Sequence, residues 1–305
     1  MNRREFVRTL SLLVGTVAIN PLLFQQTVAQ TRPNTTVSKK PEIIYRDAKV
    51  KFDDIMERAK SKKWYLMPMG DLVARIGFEF LDTPYGAGTL DVNPAEENVI
   101  INFSELDCVT FFENSLGIAR CIKLQKFEFA DLFDQIQFTR YRDGVLTDYS
   151  SRLHYTSEWI LDNVKKGTVK DITKEIGGVE HKFDLSYISK HPQKYKALSQ
   201  KNSASLIQKI KETEIEISKK TFHIIPNNQI ARAARNINDG DIIAIAIKIK
   251  GLDYGHLGIA FNGNLMHASR RFKKVIVDSS ISRYVNANQN NIGITVLRPL
   301  DNRIG

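Results

Sequence analysis

Two hydrophobic patterns divide the chain into a helical half and a strand half. Apolar residues recur at the spacing of amphipathic helices over residues 52–64 and 69–80, again after Cys108, and over residues 156–167. Beyond residue 222, short apolar runs bounded by turn residues indicate strands. The chain is therefore predicted to have an α+β fold, in which helices pack on an antiparallel sheet.

The strand half is preceded by a lysine-rich segment. Residues 161–220 contain thirteen lysines, no arginine and eight acidic residues. We interpret residues of about 165–220 as an insertion with a mostly solvated surface and short helices near 192–198 and 203–214. Strands are expected at residues 136–141, 222–225, 242–249, 256–261, 265–267, 275–277 and 292–297.

Cys108 stands at the start of an apolar helix. Val109, Phe112 and later residues form its core-facing stripe, and Ser104 followed by Asp107 resembles a helix cap. Backbone N–H groups and the helix dipole at this end favour a thiolate, so the thiol pKa is expected to be lowered. We predict that Cys108 is a nucleophile. The alternative is a cysteine that only fills space in the core.

Two histidines lie on a predicted hairpin further along the chain. The strand that begins at His256 is followed by the turn signal Asn262-Gly263 and by a second strand that carries His267. Antiparallel pairing across this turn can bring the two imidazoles together. A cysteine, a histidine and a second polar residue that orients the histidine are the groups that covalent acyl transfer requires.

These segments resemble the NlpC-type cell-wall cysteine peptidases and amidases, a branch of the papain-like superfamily. The residues that carry the resemblance are Thr83-Pro84-Tyr85, Asp107-Cys108, His256-Leu257-Gly258-Ile259 and His267-Ala268-Ser269. The resemblance implies a papain-like NlpC-type fold, with the cysteine on the helical half and the histidines on the antiparallel sheet. It also implies that Cys108, His256 and His267 are catalytic.

Further segments resemble one subfamily, the N-acetylmuramoyl-L-alanine amidase-like proteins. They are Glu105-Leu106-Asp107-Cys108-Val109-Thr110-Phe111, Arg152-Leu153-His154-Tyr155 and Asn238-Asp239-Gly240-Asp241-Ile242-Ile243. The subfamily implies a cysteine amidase that cleaves the amide between N-acetylmuramic acid and L-alanine through a thioester. Its substrate would be either the intact wall or soluble 1,6-anhydro fragments.

Two other functions stay open at this point. The wider family implies cleavage of the γ-D-glutamyl to diamino-acid bond further along the stem peptide. A catalytically inactive cell-wall-binding module is the third hypothesis, and the joint presence of one cysteine and two histidines argues against it.

Five residues are predicted to contact the substrate. By resemblance, Tyr85 faces the nucleophile, and Asp107 belongs to the motif that contains it. Arg152, His154 and Tyr155 lie together outside any periodic element, where an arginine could pair with a substrate carboxylate and a tyrosine could cover a sugar. The alternative for this loop is a solvated turn with an ion pair.

The first residues predict an exported protein. Arg3 and Arg4 precede an apolar run at residues 10–19, and residues 27–29 form a small-x-small cleavage site. We predict a signal peptide at 1–29, similar to twin-arginine leaders, a linker at 30–41 and one catalytic domain at 42–305. The mature chain is expected to be periplasmic or extracellular in a bacterium, without an integral membrane span.

Charge and cysteine content limit the partners further. The net charge of +10 falls to +8 without the leader, whose net charge is +2, and a basic surface suits an anionic wall polymer. The lysines lack interleaved aromatic residues, so nucleic acid is not expected, and no metal or cofactor motif is present.

Cys121 would lie about 20 Å from Cys108 along one helix, too far for a disulfide. We expect a monomer.

Overall fold

An eight-stranded antiparallel sheet forms the centre of the structure. The computed structural model describes residues 42–301, with side chains from residue 47 onward, so the predicted signal peptide and linker lie outside the described residues. The strand order is β2-β3-β8-β4-β5-β6-β7, and β1 also pairs with β8. The strands are β1 (Val169–Asp171), β2 (Val179–His181), β3 (Phe222–Pro226), β4 (Ile242–Ile247), β5 (Tyr254–Phe261), β6 (Asn264–Ser269), β7 (Lys274–Ser280) and β8 (Asn291–Pro299).

Helices cover both faces of this sheet, which gives the predicted α+β architecture. Helix α3 packs against β5 and β6, and α9 packs against β6, β7 and β8. The helices are α1 (Glu42–Ser61), α2 (Met69–Glu79), α3 (Cys108–Lys123), α4 (Phe129–Arg140), α5 (Thr156–Lys165), α6 (Tyr187–Lys190), α7 (Ala204–Ser218), α8 (Ile230–Ala233) and α9 (Ile281–Asn286). Within residues 42–301, no helix has the length and apolar character that crossing a bilayer requires.

Successive strand residues point into two separate apolar cores. On one face, Ala244 and Leu257 pack into the core that contains the side chains of α1, α2 and α3. On the other face, Ile243 and Ala260 pack with Val285 of α9. Because both faces are covered, all six residues of β4 are buried, which explains the uninterrupted apolar run in the sequence.

The strand predicted at residues 136–141 is wrong, because residues 136–140 are the end of helix α4 and only Tyr141 is extended. Leu132 and Ile136 are four residues apart and both buried, so they form one turn of a helical stripe against α3. Gly117 of α3 makes this close approach feasible. A Cβ atom at Gly117 would lie only 2.8 Å from Cδ1 of Ile136.

A buried ion pair joins α3 to α4. Nε of Arg140 lies 2.7 Å from Oε2 of Glu113, and their side chains are only 2% and 1% exposed. Arg140 also donates to the Ile100 carbonyl at 2.6 Å. Removing one partner would leave a buried uncompensated charge, which costs about 3–5 kcal/mol. The pair therefore fixes α3, whose first residue is Cys108, against its neighbour.

The lysine-rich segment contributes to the core as well as to the surface. Its strands β1 and β2, which the sequence pattern did not predict, extend the sheet beside β8 and β3. The predicted helix at 203–214 corresponds to α7, and Glu214 of this helix is 1% exposed. Hydrogen bonds from the Tyr155 hydroxyl and the Ser189 backbone satisfy the Glu214 carboxylate.

Candidate active site

Asp107 caps the first turn of α3. Its Oδ1 accepts hydrogen bonds from the backbone N–H groups of Val109 at 3.0 Å and Thr110 at 2.8 Å, and the Thr110 hydroxyl accepts from the Asp107 N–H. The cap predicted to start at Ser104 is wrong, since Ser104 lies in a preceding turn where its N–H bonds to Asn102. The helix begins at Cys108, so the thiol lies in the first turn.

Burial controls the acidity of the Cys108 thiol. The residue is half-buried, and desolvation of the thiol, aided by the charge of Asp107, raises its pKa to about 12. Backbone N–H groups of Leu257, Cys108 and Val109 stabilise the thiolate but do not outweigh this loss of water. The lowered pKa expected from the helix terminus is therefore wrong. The thiol stays protonated near neutral pH unless a base takes its proton.

The β5–β6 hairpin places His256 directly beside His267. Nε2 of His256 lies 2.7 Å from Nδ1 of His267, and the two rings are nearly perpendicular. His267 is buried, and its Nε2 lies 3.5 Å from Oδ2 of Asp278 on β7. Burial, aided by His267, lowers the pKa of His256 to about 3, so this imidazole is neutral near pH 7. Burial also lowers the pKa of His267, although Asp278 opposes the shift.

Two tyrosines lie close to the catalytic candidates, Tyr284 at the histidine pair and Tyr85 near Cys108. The Tyr284 ring stacks on His256 with centroids 5.8 Å apart and meets His267 edge-on at 4.8 Å. Burial, Asp278 and Cys108 together raise the pKa of Tyr284 to about 12. The pKa of Tyr85 is raised by burial and then by Cys108. Tyr284, which stacks on His256, is therefore near enough to Cys108 for the thiolate charge to raise its pKa. The backbone N–H of Leu257, which follows His256, acts to lower the pKa of the Cys108 thiol.

Asp278 and Tyr284 were not predicted from the sequence. Asp278 follows an apolar strand segment as a single acidic residue, and its position beside His267 depends on a register shift in the β6–β7 pairing. Tyr284 lies on the short helix α9, which was not predicted. Of the two residues, only Asp278 could have been proposed from the sequence, because it is a carboxylate at the end of the strand that follows the histidine hairpin.

A small cavity of about 180 Å³ lies on the cysteine side of the site. The residues that line it include Asp107, Val109, Phe112, Arg152, His154, Trp159 and Leu257. The structure thus brings two residues of the predicted substrate loop next to the N terminus of α3.

Arg152 is already paired within the protein. Its guanidinium donates to both carboxylate oxygens of Glu97 at 2.8 and 2.7 Å and to Asp91 at 3.0 Å. Nε2 of His154 lies 2.7 Å from the Tyr149 carbonyl oxygen, and burial, aided by the charge of Arg152, lowers the pKa of His154 to about 3. The cavity therefore has a neutral histidine and an arginine whose charge two carboxylates compensate.

Tyr155 lies apart from the other predicted site residues. Its hydroxyl donates to Glu214 at 2.7 Å and accepts from the backbone N–H groups of Tyr187 and Ile188 at 3.0 Å. The side chain is 2% exposed and lines neither the small cavity nor the larger cleft beside His256. Its contacts attach the loop that carries Arg152 and His154 to the lysine-rich segment.

A larger cleft of about 1320 Å³ lies on the histidine side. His256, Tyr284 and Asp278 line it together with four exposed cationic residues, Arg270, Arg271, Lys273 and Arg283. In the part of the chain that the structure describes, no carboxylate lies within ion-pair distance of these four residues. We call this region the cationic cleft.

The described residues offer thiol and imidazole chemistry at this site. Among residues 42–301, no group of three or more His, Cys, Asp or Glu side chains is arranged to hold a metal ion. Cys108 and Cys121 are both unpaired thiols, and Cys121 is fully buried further along α3. Cys108 is the cysteine at the helix start, and its neighbour Val109 lines the small cavity together with Leu257, the residue after His256.

Comparison with known proteins identifies relatives over most of the chain. An AmiA-like family model, described as N-acetylmuramoyl-L-alanine amidase-like, matches residues 75–294. The crystal structure of an N-acetylmuramoyl-L-alanine amidase from Bacteroides uniformis is 38% identical, covers 76% of this chain and 98% of its own, and superposes with a TM-score of 0.72. A search of curated proteins gives no match.

Two further solved structures are similar. A protein from Bacteroides fragilis named a putative xylanase is 39% identical, with a TM-score of 0.69, and covers 74% of this chain and 99% of its own. A Legionella pneumophila protein is 20% identical, with a TM-score of 0.65 over 86% of this chain and 97% of its own, and it supports the fold alone.

Proposed function

Because the chain belongs to the AmiA-like, N-acetylmuramoyl-L-alanine amidase-like family, we propose that it is a cysteine amidase acting on peptidoglycan fragments. The bond cleaved is the amide between N-acetylmuramic acid, in its ordinary or 1,6-anhydro form, and the L-alanine of the stem peptide. Family membership supports an amidase-like hydrolase with a peptidoglycan-related substrate. The residues of the site support the cysteine mechanism.

The 2.7 Å contact between His256 and His267 is the observation that carries this mechanism. Because Nε2 of His256 is engaged by His267, Nδ1 is the nitrogen that can take a proton from Cys108. His267 holds the imidazole in this tautomer, and Asp278 lies at the far side of His267. In the proposed mechanism His256 is the base, His267 orients it, and the helix-terminal thiol of Cys108 is the nucleophile.

The reaction proceeds in two halves. His256 takes the thiol proton as Sγ of Cys108 attacks the amide carbonyl carbon, and the backbone N–H of Cys108 donates to the developing oxyanion. The C–N bond then breaks, the imidazolium gives its proton to the departing L-alanine nitrogen, and a thioester forms on the sulfur. Water, deprotonated by the same histidine, hydrolyses the thioester and restores the thiol.

The contacts of the site give little support to hydrolysis of a polysaccharide chain. Xylan hydrolysis, suggested by the name of the Bacteroides fragilis relative, commonly uses a pair of free carboxylates. Here Asp107 caps a helix, Asp91 pairs with Arg152 and Asp278 faces His267. The described residues near Cys108 therefore provide no pair of unengaged carboxylates.

We propose that the protein acts outside the cytoplasm. The sequence pattern of residues 1–29 predicts export, and a wall-directed amidase family is consistent with it. The lysine-rich surface would then face the anionic polymers of the envelope.

Mass analysis of digested muropeptides tests the proposed bond. Incubation of a disaccharide tripeptide, in ordinary and 1,6-anhydro forms, should release an intact stem peptide and a sugar that carries no amino acid. A γ-D-glutamyl endopeptidase would instead leave L-alanyl-D-glutamate on the sugar. Products of the second kind, or an unchanged substrate under conditions where the folded protein is verified by circular dichroism, would contradict the proposal.

The neutral state of both catalytic groups predicts an unusual pH dependence. His256 is a competent base only when neutral, and its pKa of about 3 keeps it neutral throughout the range from pH 5 to 8. We therefore expect kcat/KM to lack the acid limb near pH 6.5 that an unperturbed histidine produces. Steady-state rates from pH 4.5 to 8.5 at constant ionic strength measure this.

The pH dependence of alkylation tests the raised pKa of the Cys108 thiol separately from turnover. Since the pKa of Cys108 is about 12, its reaction with iodoacetamide should accelerate about tenfold per pH unit between pH 7 and 10. A Cys121→Ala background isolates the signal. A plateau in the alkylation rate near pH 8 would mean that the thiolate is far more stable than its burial implies.

A further inference from the structure

We propose that the cationic cleft binds the carboxylates of the stem peptide, so that the peptide lies on the histidine side of the scissile amide and the sugar on the cysteine side. The inference rests on the proposed amidase function and adds the orientation of its substrate. The ligand class of the cleft is an oligopeptide that bears two or more carboxylates.

The distribution of charge around the site is the first support. Arg270, Arg271 and Lys273 come from the turn between β6 and β7, and Arg283 comes from α9. These side chains are exposed and, within residues 42–301, have no carboxylate partner. Asp278 is the one carboxylate among the residues that line this cleft, and it faces His267. Uncompensated cations at the mouth of a cleft attract anionic ligands.

The small cavity has the opposite character. Its single arginine, Arg152, is bound by Glu97 and Asp91, and Asp107 adds a carboxylate to its lining. A substrate carboxylate placed there would meet no free cation. The half of the substrate that enters this cavity should therefore be uncharged, with Phe112 and Trp159 offering apolar surface.

The chemistry of the thioester assigns each half of the substrate to a side. The acyl half stays on the sulfur of Cys108, while the amine half leaves with a proton from His256. The leaving group must therefore occupy the cleft that His256 lines. In a muramoyl-L-alanine amide, the acyl half has its carboxyl group in the amide and is neutral. The leaving half is the peptide, which carries every carboxylate.

Cleavage of the γ-D-glutamyl to diamino-acid bond would distribute the substrate carboxylates differently between the two halves. Cleavage after D-glutamate leaves the α-carboxylate of that residue on the acyl half, beside the compensated Arg152. Cleavage before L-alanine places the same carboxylate about 7 Å into the leaving half, one residue beyond the alanine. The Tyr85 N–H donates to the Lys273 carbonyl at 2.9 Å, and Tyr85 forms a β-bridge with Leu106, two residues before Cys108. The charge of Arg270, in the same turn as Lys273, opposes the raised pKa of the Tyr85 hydroxyl. A cation thus lies near the point where the first carboxylate is expected.

The test compares two substrates and two double variants. One substrate is 1,6-anhydro-N-acetylmuramoyl-L-alanyl-D-glutamyl-diaminopimelate, and the other is the same sugar with a neutral L-alanine amide. R270Q/R283Q removes two charges from the cleft. R232Q/K211Q removes two exposed charges that line neither cavity. We expect the ratio of kcat/KM for the charged substrate over the neutral one to fall roughly tenfold in R270Q/R283Q and to be unchanged in the control.

The outcomes separate this inference from the proposed function. Equal losses on both substrates in R270Q/R283Q, or equal losses of the ratio in both double variants, would overturn the subsite and leave the amidase intact. If neither substrate is hydrolysed, calorimetry with the product tripeptide L-alanyl-D-glutamyl-diaminopimelate decides. Binding that weakens roughly tenfold only in R270Q/R283Q would support the subsite without the amidase, and absence of binding to the wild-type protein would overturn it.

Discussion

Replacing Cys108 with alanine should reduce muropeptide hydrolysis by about 10⁴-fold or more, because no other group at the site can form the thioester. The side chain is half-buried and makes no disulfide, so the midpoint of thermal unfolding should move by only about 2–3 °C. Product release measured by mass spectrometry, together with a thermal melt followed by circular dichroism, tests both parts.

Cys121→Ala is the matched control for this substitution. Cys121 occupies the same helix but is fully buried and lines neither the small cavity nor the cationic cleft. This variant should lose about 1 kcal/mol of stability from the small cavity it creates and retain its activity. Residual hydrolysis by Cys108→Ala within tenfold of the wild-type rate would end the assignment of Cys108 as the nucleophile.

Replacing His256 with glutamine should lower kcat by roughly 10³-fold, since an amide cannot take the thiol proton or return it to the leaving nitrogen. The loss should be larger here than in an enzyme with a preformed thiolate. Burial raises the pKa of Cys108 to about 12, so without a base almost no thiolate forms near neutral pH. Single-turnover kinetics of thioester formation measure the affected step.

His267→Gln should be less damaging than His256→Gln. A glutamine amide can still hydrogen-bond to Nε2 of His256, so the orientation of the base is weakened but not abolished, with an expected loss of roughly 10–100-fold. His223→Gln, on β3 and outside both cavities, is the control and should keep full activity. A loss in His267→Gln as large as that in His256→Gln would indicate that His267 itself transfers the proton.

Several features of the fold could be predicted because they depend on neighbouring residues. The start of α3 near Cys108 follows from a polar residue before an apolar stripe, and the hairpin that carries the two histidines follows from a turn signal between alternating segments. The segment at 136–141 was mistaken for a strand because its short apolar run fits either period. Contact with α3 at Gly117 selected the helix.

Such local sequence patterns could not predict the partners of the charged and catalytic groups. Glu97 binds Arg152 from 55 positions away, so the sequence could not indicate that this arginine is already compensated. Asp278 reaches His267 only through the register of β6 and β7. The cationic cleft likewise combines a turn and a helix that have no common sequence signature.

By itself, the sequence determined which chemical groups this protein brings to its reaction, since a thiol at a helix start and two imidazoles on a hairpin are local features. The tertiary structure alone decided how those groups behave. Desolvation outweighs the helix terminus and raises the pKa of Cys108, while burial lowers the pKa of His256. The physical reason is that solvation and ion pairing depend on atoms contributed by distant segments, and these meet only in the folded chain.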